Sequence, residues 1–241
     1  MRTGNRHKWN MEHMPGPRLM NDMLILPTGD ILIINGAERG VAGWDTARNA
    51  SLRPYLYNPN RPLGRRFSLL RPTRIARMYH SSAVLLPDGR VLVGGSNPHN
   101  RYTFSNAAYP TELRLQAFVP YYMDRQYHPL RPSNVTILNH IDDGVVYGGE
   151  FHVRFLQGRR PSRDVEFVAY APPFTTHSMS MNQRMLRLRA KSIERGEGGW
   201  FNVVLEAPPS PNVAPSGYYM LTVVNKGIPS LSQWVRFIHG S

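Results

Sequence analysis

The 241-residue sequence predicts an all-β protein in two parts: a partial kelch-type β-propeller over residues 1–128, then an immunoglobulin-like β-sandwich over residues 129–241. Three observations carry the prediction. A hairpin-like segment recurs with an offset of 60 residues, short and partly alternating apolar segments follow one another from Ser133, and no amphipathic helix of useful length interrupts either part.

The repeat comes first along the chain. Leu24 to Gly36 superimposes on Val84 to Ser96, each copy reading as an apolar strand, a Pro-x-Gly turn and a β-branched strand that ends in small residues. A period of this size with one hairpin per unit suggests propeller blades, which in kelch-type repeats run about 50 residues. Tyr55–Tyr57, the run 67–70 and the run 113–118 supply outer strands. A ring needs about 4 to 8 blades. Two blades and parts of others leave open strand edges and an uncovered apolar flank, so the chain reads as the carboxy-terminal part of something longer. Pro110, Pro120, Pro129 and Pro132 mark a linker.

Beyond the linker, segments around residues 135–137, 151–155, 165–170, 185–188, 200–205, 218–224 and 234–238 each have strand length and β-rich composition. Seven such strands in this span describe an immunoglobulin-like sandwich.

Composition narrows the partners. With 29 basic against 16 acidic residues the net charge is +13, which favours polyanionic surroundings. The basic residues occur singly or in pairs such as Arg65-Arg66 and Arg159-Arg160, with no nucleic-acid-binding signature, so nucleic acid is not expected. No apolar run approaches the roughly 20 residues of a membrane span, and the first ten residues lack the apolar stretch of a secretory signal. The absence of cysteine excludes disulfides, thiolate metal sites and a cysteine nucleophile within these residues.

Chemistry concentrates in two places. Arg77-Met78-Tyr79-His80-Ser81-Ser82 sets a Tyr-His pair just ahead of the second repeat, and the run 175–184 offers His177 in a polar loop. Phenol and imidazole make an N,O donor set that suits copper(II). On motif alone, a hydrogen-bonded, chemically silent Tyr and His at a strand start is the favoured reading. His99, His128, His140, His152 and His239 have no comparable context and read as ordinary histidines. Arg77 and Arg184 read as packing or surface residues, and Met11, Met14, Met20 and Met23 as core filler rather than a soft-metal stripe.

The run from Met14-Pro15 through Asn35-Gly36, Gly43-Trp44 and Ala47-Arg48 to the stretch 77–98 resembles the plant aldehyde oxidases of the glyoxal oxidase and galactose oxidase group of copper-radical oxidases. The stretches 171–178 and 182–184 resemble the carboxy-terminal early-set domain of that group. The resemblance implies copper held by Tyr79, His80 and His177, with Tyr79 the axial, catalytic base and the loop of His177 reaching into the propeller's centre. It implies oxidation of an aldehyde or primary alcohol by dioxygen, outside the cell in the wall space. The family's radical partner, a second tyrosine cross-linked to a cysteine, cannot form within a cysteine-free stretch, so the chain by itself is expected to be inactive. Two other expectations stand beside this one: a non-catalytic basic β-module that binds acidic cell-wall polysaccharide, and a truncated product with no stable function.

Overall fold

The computed structural model describes residues 10–138, 144–158, 161 and 164–240. The first nine residues, His140 and the Arg159-Arg160 pair lie outside the described residues. The chain is nearly all β; the described helical elements are 3-10 turns at Tyr121–Met123, Arg125–Leu130 and Glu197–Gly199.

The first sheet is built from β1 (Asp22–Ile25) and β2 (Ile31–Ile34), interrupted by a small hairpin of β3 (Ala37–Arg39) and β4 (Arg48–Ala50), and completed by β5 (Tyr55–Tyr57) and β6 (Phe67–Leu69). Its order is β1-β2-β5-β6, antiparallel throughout. The second sheet contains β7 (Ser81–Leu85), β8 (Val91–Gly95) and β9 (Leu115–Phe118), in that order. The repeat extends to its hydrogen bonds. Leu26 N–H donates to Asp30 O (2.8 Å) and Gly29 N–H to Leu26 O (2.8 Å), while Leu86 N–H donates to Arg90 O (2.8 Å) and Gly89 N–H to Leu86 O (2.9 Å). Gly29 and Gly89 take φ of 84° and 89°, which is why both turns require glycine.

The sandwich follows. It contains β10 (Ser133–Ile137), β11 (Val145–Val146), β12 (Glu150–Leu156), β13 (Glu166–Ala171), β14 (Phe174–Thr176), β15 (Met179–Met181), β16 (Arg184–Leu188), β17 (Ala190–Arg195), β18 (Trp200–Glu206), β19 (Gly217–Asn225), β20 (Ile228–Pro229) and β21 (Gln233–Ile238). One sheet runs β10-β12-β18-β17 and the other β11-β21-β19-β13-β16, with β14 and β15 forming a separate ribbon. Strand alternation puts Phe151, Val153 and Phe155 on one face of β12, where they meet Phe201, Val203 and Leu205 of β18 and Phe167 and Leu221 across the gap. Phe155 stacks on Phe201 with ring centroids 5.5 Å apart.

A second core joins the two parts. Leu24, Leu32, Ala83, Leu85, Val91 and Val93 from the two repeat hairpins pack in one cluster with Tyr170, Met220 and Ile228 of the sandwich. The expected linker also differs from a free tether. Tyr122 is completely buried in this cluster and donates to Gly89 O (2.6 Å), because the segment between prolines is short enough to lie flat on the blades.

Candidate metal centre

The strand β7 begins at a tight turn. Ser81 N–H donates to Met78 O (3.2 Å) and Ser81 Oγ to the same carbonyl (2.7 Å), closing a four-residue turn with His80 third in it at φ 62°. A positive φ at that position marks a type II turn, which normally favours glycine; histidine is among the side chains that tolerate it. Surrounding bonds fix the turn. Met78 N–H donates to Ser96 Oγ (2.9 Å), and Asn97 N–H to Tyr79 O (2.8 Å). The buried Arg77 guanidinium donates to Gly95 O (2.8 Å), Arg114 O (2.9 Å) and Gln116 Oε1 (3.2 Å), tying β8 to β9 beneath the turn. Burial lowers the pKa of Arg77 from its usual value. Arg77 is therefore a packing residue.

His177 arrives from the sandwich. It stands with Ser178 in the two-residue loop between β14 and β15, both at positive φ (51° and 65°), as in a type I′ hairpin. The ribbon lies against β1 and β7, the innermost strands of the two blade sheets. Its foot is held by Gln183, which accepts from Ile25 N–H (2.8 Å) and Tyr170 O–H (2.9 Å) and donates to Met23 O (2.9 Å).

The two turns bring three rings together. Tyr79 and His80 have ring centroids 3.9 Å apart, Tyr79 and His177 5.8 Å, and His80 and His177 6.0 Å. The histidines are 97 residues apart in sequence (80 to 177). His80 Nδ1 lies 3.1 Å from Asn97 O, a pure acceptor, so Nδ1 is the donor of that bond and Nε2 is the nitrogen left to bind a metal. His177 Nδ1 is engaged by Thr176 Oγ1 (2.7 Å). Neither Nε2, nor the Tyr79 hydroxyl, has a hydrogen-bond partner among the described residues. Two imidazole nitrogens with their second nitrogens already held, plus a free phenol, fit a copper(II) ion. Among the described residues there is no group of three or more His, Cys, Asp or Glu that could hold a metal, so the donor set depends on the phenol. A cavity of about 610 Å³ opens beside His80, walled by Trp44, Asn97, His99, Tyr102 and Leu113. A cavity of about 710 Å³ between the blade sheets borders Arg77 and none of the three rings.

The remaining candidates scatter. His99 sits between Asp45 Oδ1 (2.8 Å) and Tyr109 O (2.8 Å), stitching two loops together. His128 lies in a 3-10 turn, His152 in β12, and His239 meets Tyr147 edge-on (5.3 Å). Arg184 donates to Val213 O (3.0 Å) and Asn182 Oδ1 (3.1 Å). The methionines correct the expectation of core filler. Met20 is buried, whereas Met11 and Met14, ahead of the first strand, and Met23 in β1 are 87%, 40% and 47% exposed. Sequence reasoning missed Gln183 as a structural actor, although it stands in the Asn-Gln-Arg motif. It missed Ser81 and Ser96 too, although both lie in the stretch 77–98 that carries the resemblance. It also missed Asp22, buried under the site with Asn35 Nδ2 donating to it (2.8 Å); burial pushes its pKa up to about 6.

An all-β chain with a Tyr-His turn at a blade strand and a histidine ribbon from a sandwich defines the class. The profile described as Glyoxal oxidase N-terminus matches residues 1–122, and the one described as Galactose oxidase-like, Early set domain matches residues 131–237. The chain belongs to the glyoxal oxidase family, with a galactose oxidase-like early-set domain as its second part. It is 45% identical over 232 residues to aldehyde oxidase GLOX1 of Arabidopsis thaliana, covering 95% of this chain and 37% of that protein. It is 43% identical over 230 residues to aldehyde oxidase GLOX of Vitis pseudoreticulata, covering 95% of this chain and 43% of that protein. The chain thus spans about two fifths of the length of these relatives. A solved fungal alcohol oxidase of the AA5 family, in complex with copper, shares the fold at a TM-score of 0.70 and 24% identity, over 91% of this chain and 42% of that one.

Proposed function

We propose that residues 1–128 and 129–241 are a partial propeller and an early-set domain that together supply three copper ligands, Tyr79, His80 and His177, of an extracellular aldehyde oxidase. The reaction is RCHO + O2 + H2O giving RCOOH + H2O2. The observation that carries this reading is the approach of the three rings to within 6.0 Å from opposite parts of the fold. Copper(II) bound there would supply a Lewis-acidic, one-electron centre. His80 and His177 would hold it through Nε2, their Nδ1 atoms fixed by Asn97 O and Thr176 Oγ1. Tyr79, unpartnered, would as its phenolate take the hydroxyl proton of the hydrated aldehyde or primary alcohol and become the neutral phenol. The cavity beside His80 gives the substrate a route in. These residues contain no cysteine, so a tyrosine–cysteine radical partner would come from outside them, and this chain alone would not turn over.

Copper(II) titration of the purified chain with electron paramagnetic resonance tests the reading. The expected spectrum shows coupling to two imidazole nitrogens, reduced to one in either His80→Ala or His177→Ala, with no peroxide formed from methylglyoxal. Equal copper binding by wild type and both variants would sink it.

A second reading has its own observation. Residues 46–87 contain eight arginines and no acidic residue. Arg77 is buried and Arg66 pairs with Glu12 (3.7 Å), but Arg61, Arg65, Arg71 and Arg74 are exposed around the outer strands β5 and β6. This face suits an acidic wall polysaccharide. Salt-sensitive retention on polygalacturonate should fall when Arg65, Arg71 and Arg74 become Gln, and not when Arg189, Arg195 and Arg236 do; equal loss in both sets would reduce it to net charge.

A further inference from the structure

We infer that Gln183 is the positioning residue of the candidate centre: its side-chain amide substitutes for a neighbouring strand along the open edge of β1 and thereby fixes where His177 stands. The inference rests on the copper reading for its chemical consequence, and on geometry alone for the anchoring itself.

Strand β1 pairs with β2 on one side, in the register Met23↔Ile33, Leu24↔Leu32 and Ile25↔Ile31. Among the described residues no strand pairs with its other edge, where Met23 O and Ile25 N–H point outward. These two groups flank Leu24, as the acceptor and donor of a strand edge do. Gln183 meets both with one planar amide, Oε1 taking Ile25 N–H at 2.8 Å and Nε2 giving to Met23 O at 2.9 Å. The remaining lone pair of Oε1 takes Tyr170 O–H at 2.9 Å, from the buried face of β13. A single side chain thus joins the inner blade strand, the sandwich core and the chain segment leaving β15.

The ribbon needs such an anchor. It consists of two three-residue strands, which are marginal by themselves, and its loop holds two non-glycine residues at positive φ. Phe174, Met179 and Met181 on it are 70%, 59% and 48% exposed, so apolar burial holds it weakly. His177 is six residues from Gln183, at the far end of the ribbon. A shift at the foot therefore displaces Nε2 away from Tyr79 and His80.

The test uses the full chain with Gln183→Leu, the near-isosteric Gln183→Glu and Tyr170→Phe. In the metal-free chain, hydrogen exchange of the Ile25 amide and of residues 174–181 should speed up about tenfold in Gln183→Leu, while β12 and β18 of the sandwich stay protected. The copper(II) spectrum should lose coupling to one imidazole nitrogen, as in His177→Ala. Tyr170→Phe, which leaves both β1 bonds intact, should keep two nitrogens. In Gln183→Glu the ionised carboxylate faces the Met23 carbonyl with no proton to donate. Its excess exchange should vanish as pH falls and the carboxyl regains a donor, a rescue that also serves if Gln183→Leu fails to fold. Unchanged exchange at Ile25 and the ribbon overturns the inference, as does faster exchange with both nitrogen couplings retained. If His177→Ala itself leaves the copper spectrum unaltered, the copper reading falls, and exchange alone judges the anchor.

Discussion

The two histidine turns reach the same place by opposite means. His80 stands on a rigid foundation: its turn is closed twice onto Met78 O, backed by Ser96 Oγ, and underlain by a buried arginine that binds two backbone carbonyls and a glutamine. His177 stands at the tip of a thin exposed ribbon, held at its foot by one amide. Both occupy left-handed backbone, where glycine is the ordinary choice. Histidine there trades local conformational ease for a ring aimed at the other turn, the pattern expected where backbone strain serves a site. One ligand is thus fixed by secondary structure within its own sheet, and the other by contact between the two parts of the chain.

Arg77→Met attacks the rigid side of this contrast. It removes the donor that the part-buried carbonyls of Gly95 and Arg114 share and should destabilise the chain by about 3 kcal/mol. Urea unfolding measures it; a midpoint unchanged from wild type would mean that the foundation of His80 lies elsewhere. Because Leu24, Leu85, Tyr170 and Met220 share one core, blade and sandwich probes should shift together in that experiment.

Asp22 lies on β1, accepts from Asn35 Nδ2 (2.8 Å) and leaves its other carboxylate oxygen, Oδ1, buried without a partner among the described residues. Its pKa is raised by burial from 3.8 to about 6, so the folded chain binds a proton that the unfolded chain has released. Its stabilising contribution is complete below about pH 4 and is lost as pH rises through 6, up to about 3 kcal/mol. Stability followed from pH 4 to 7 should decline over this window, and Asp22→Asn should flatten the decline. Glu112 works in the opposite sense at lower pH. The hydrogen bond from Arg114 holds it near 2, so its contribution is present above 4.5 and disappears as pH falls through 2. A slope between pH 4 and 6 that Asp22→Asn leaves intact would assign the effect to another group.

His80→Val should cost about 1–2 kcal/mol because a β-branched side chain resists φ of 62°, whereas His80→Asn should leave stability almost unchanged. Equal melting temperatures for the two variants would show that the turn carries no strain. The smallest expected effect is at the ribbon. Ser178→Gly, at φ 65°, should stabilise the hairpin by about 0.5–1 kcal/mol without touching a proposed ligand, seen as slower exchange across 174–181.

Much of this fold is legible in residue patterns. The Pro-x-Gly turns with flanking apolar runs give β1–β2 and β7–β8 together with their equivalence, since turn chemistry and period-two alternation are local. The seven sandwich strands follow from the same grammar. The strands that escape it are short or polar. Glu38, Arg39, Arg48 and Asn49 are exposed in β3–β4, β17 reads Ala-Lys-Ser-Ile-Glu-Arg, and β11 and β20 have two residues each. Such segments pair because a neighbour offers an edge, and nothing in their own composition announces it. At the site, the Tyr79-His80 motif and the context of His177 mark the residues through family resemblance. Their backbone geometry and their mutual approach are not written in either motif.

By itself the sequence determined the strand content, the two repeat turns, the sandwich and the donor types available, because each depends on chemistry within a few neighbouring residues. Tertiary structure alone decided that a ribbon from the sandwich lies between β1 and β7, that Gln183 completes the edge of β1, and that rings 97 residues apart in the chain stand 6.0 Å from each other. The physical reason is that these depend on which edges and faces remain unsatisfied once each sheet has formed, and that is a property of the assembled chain.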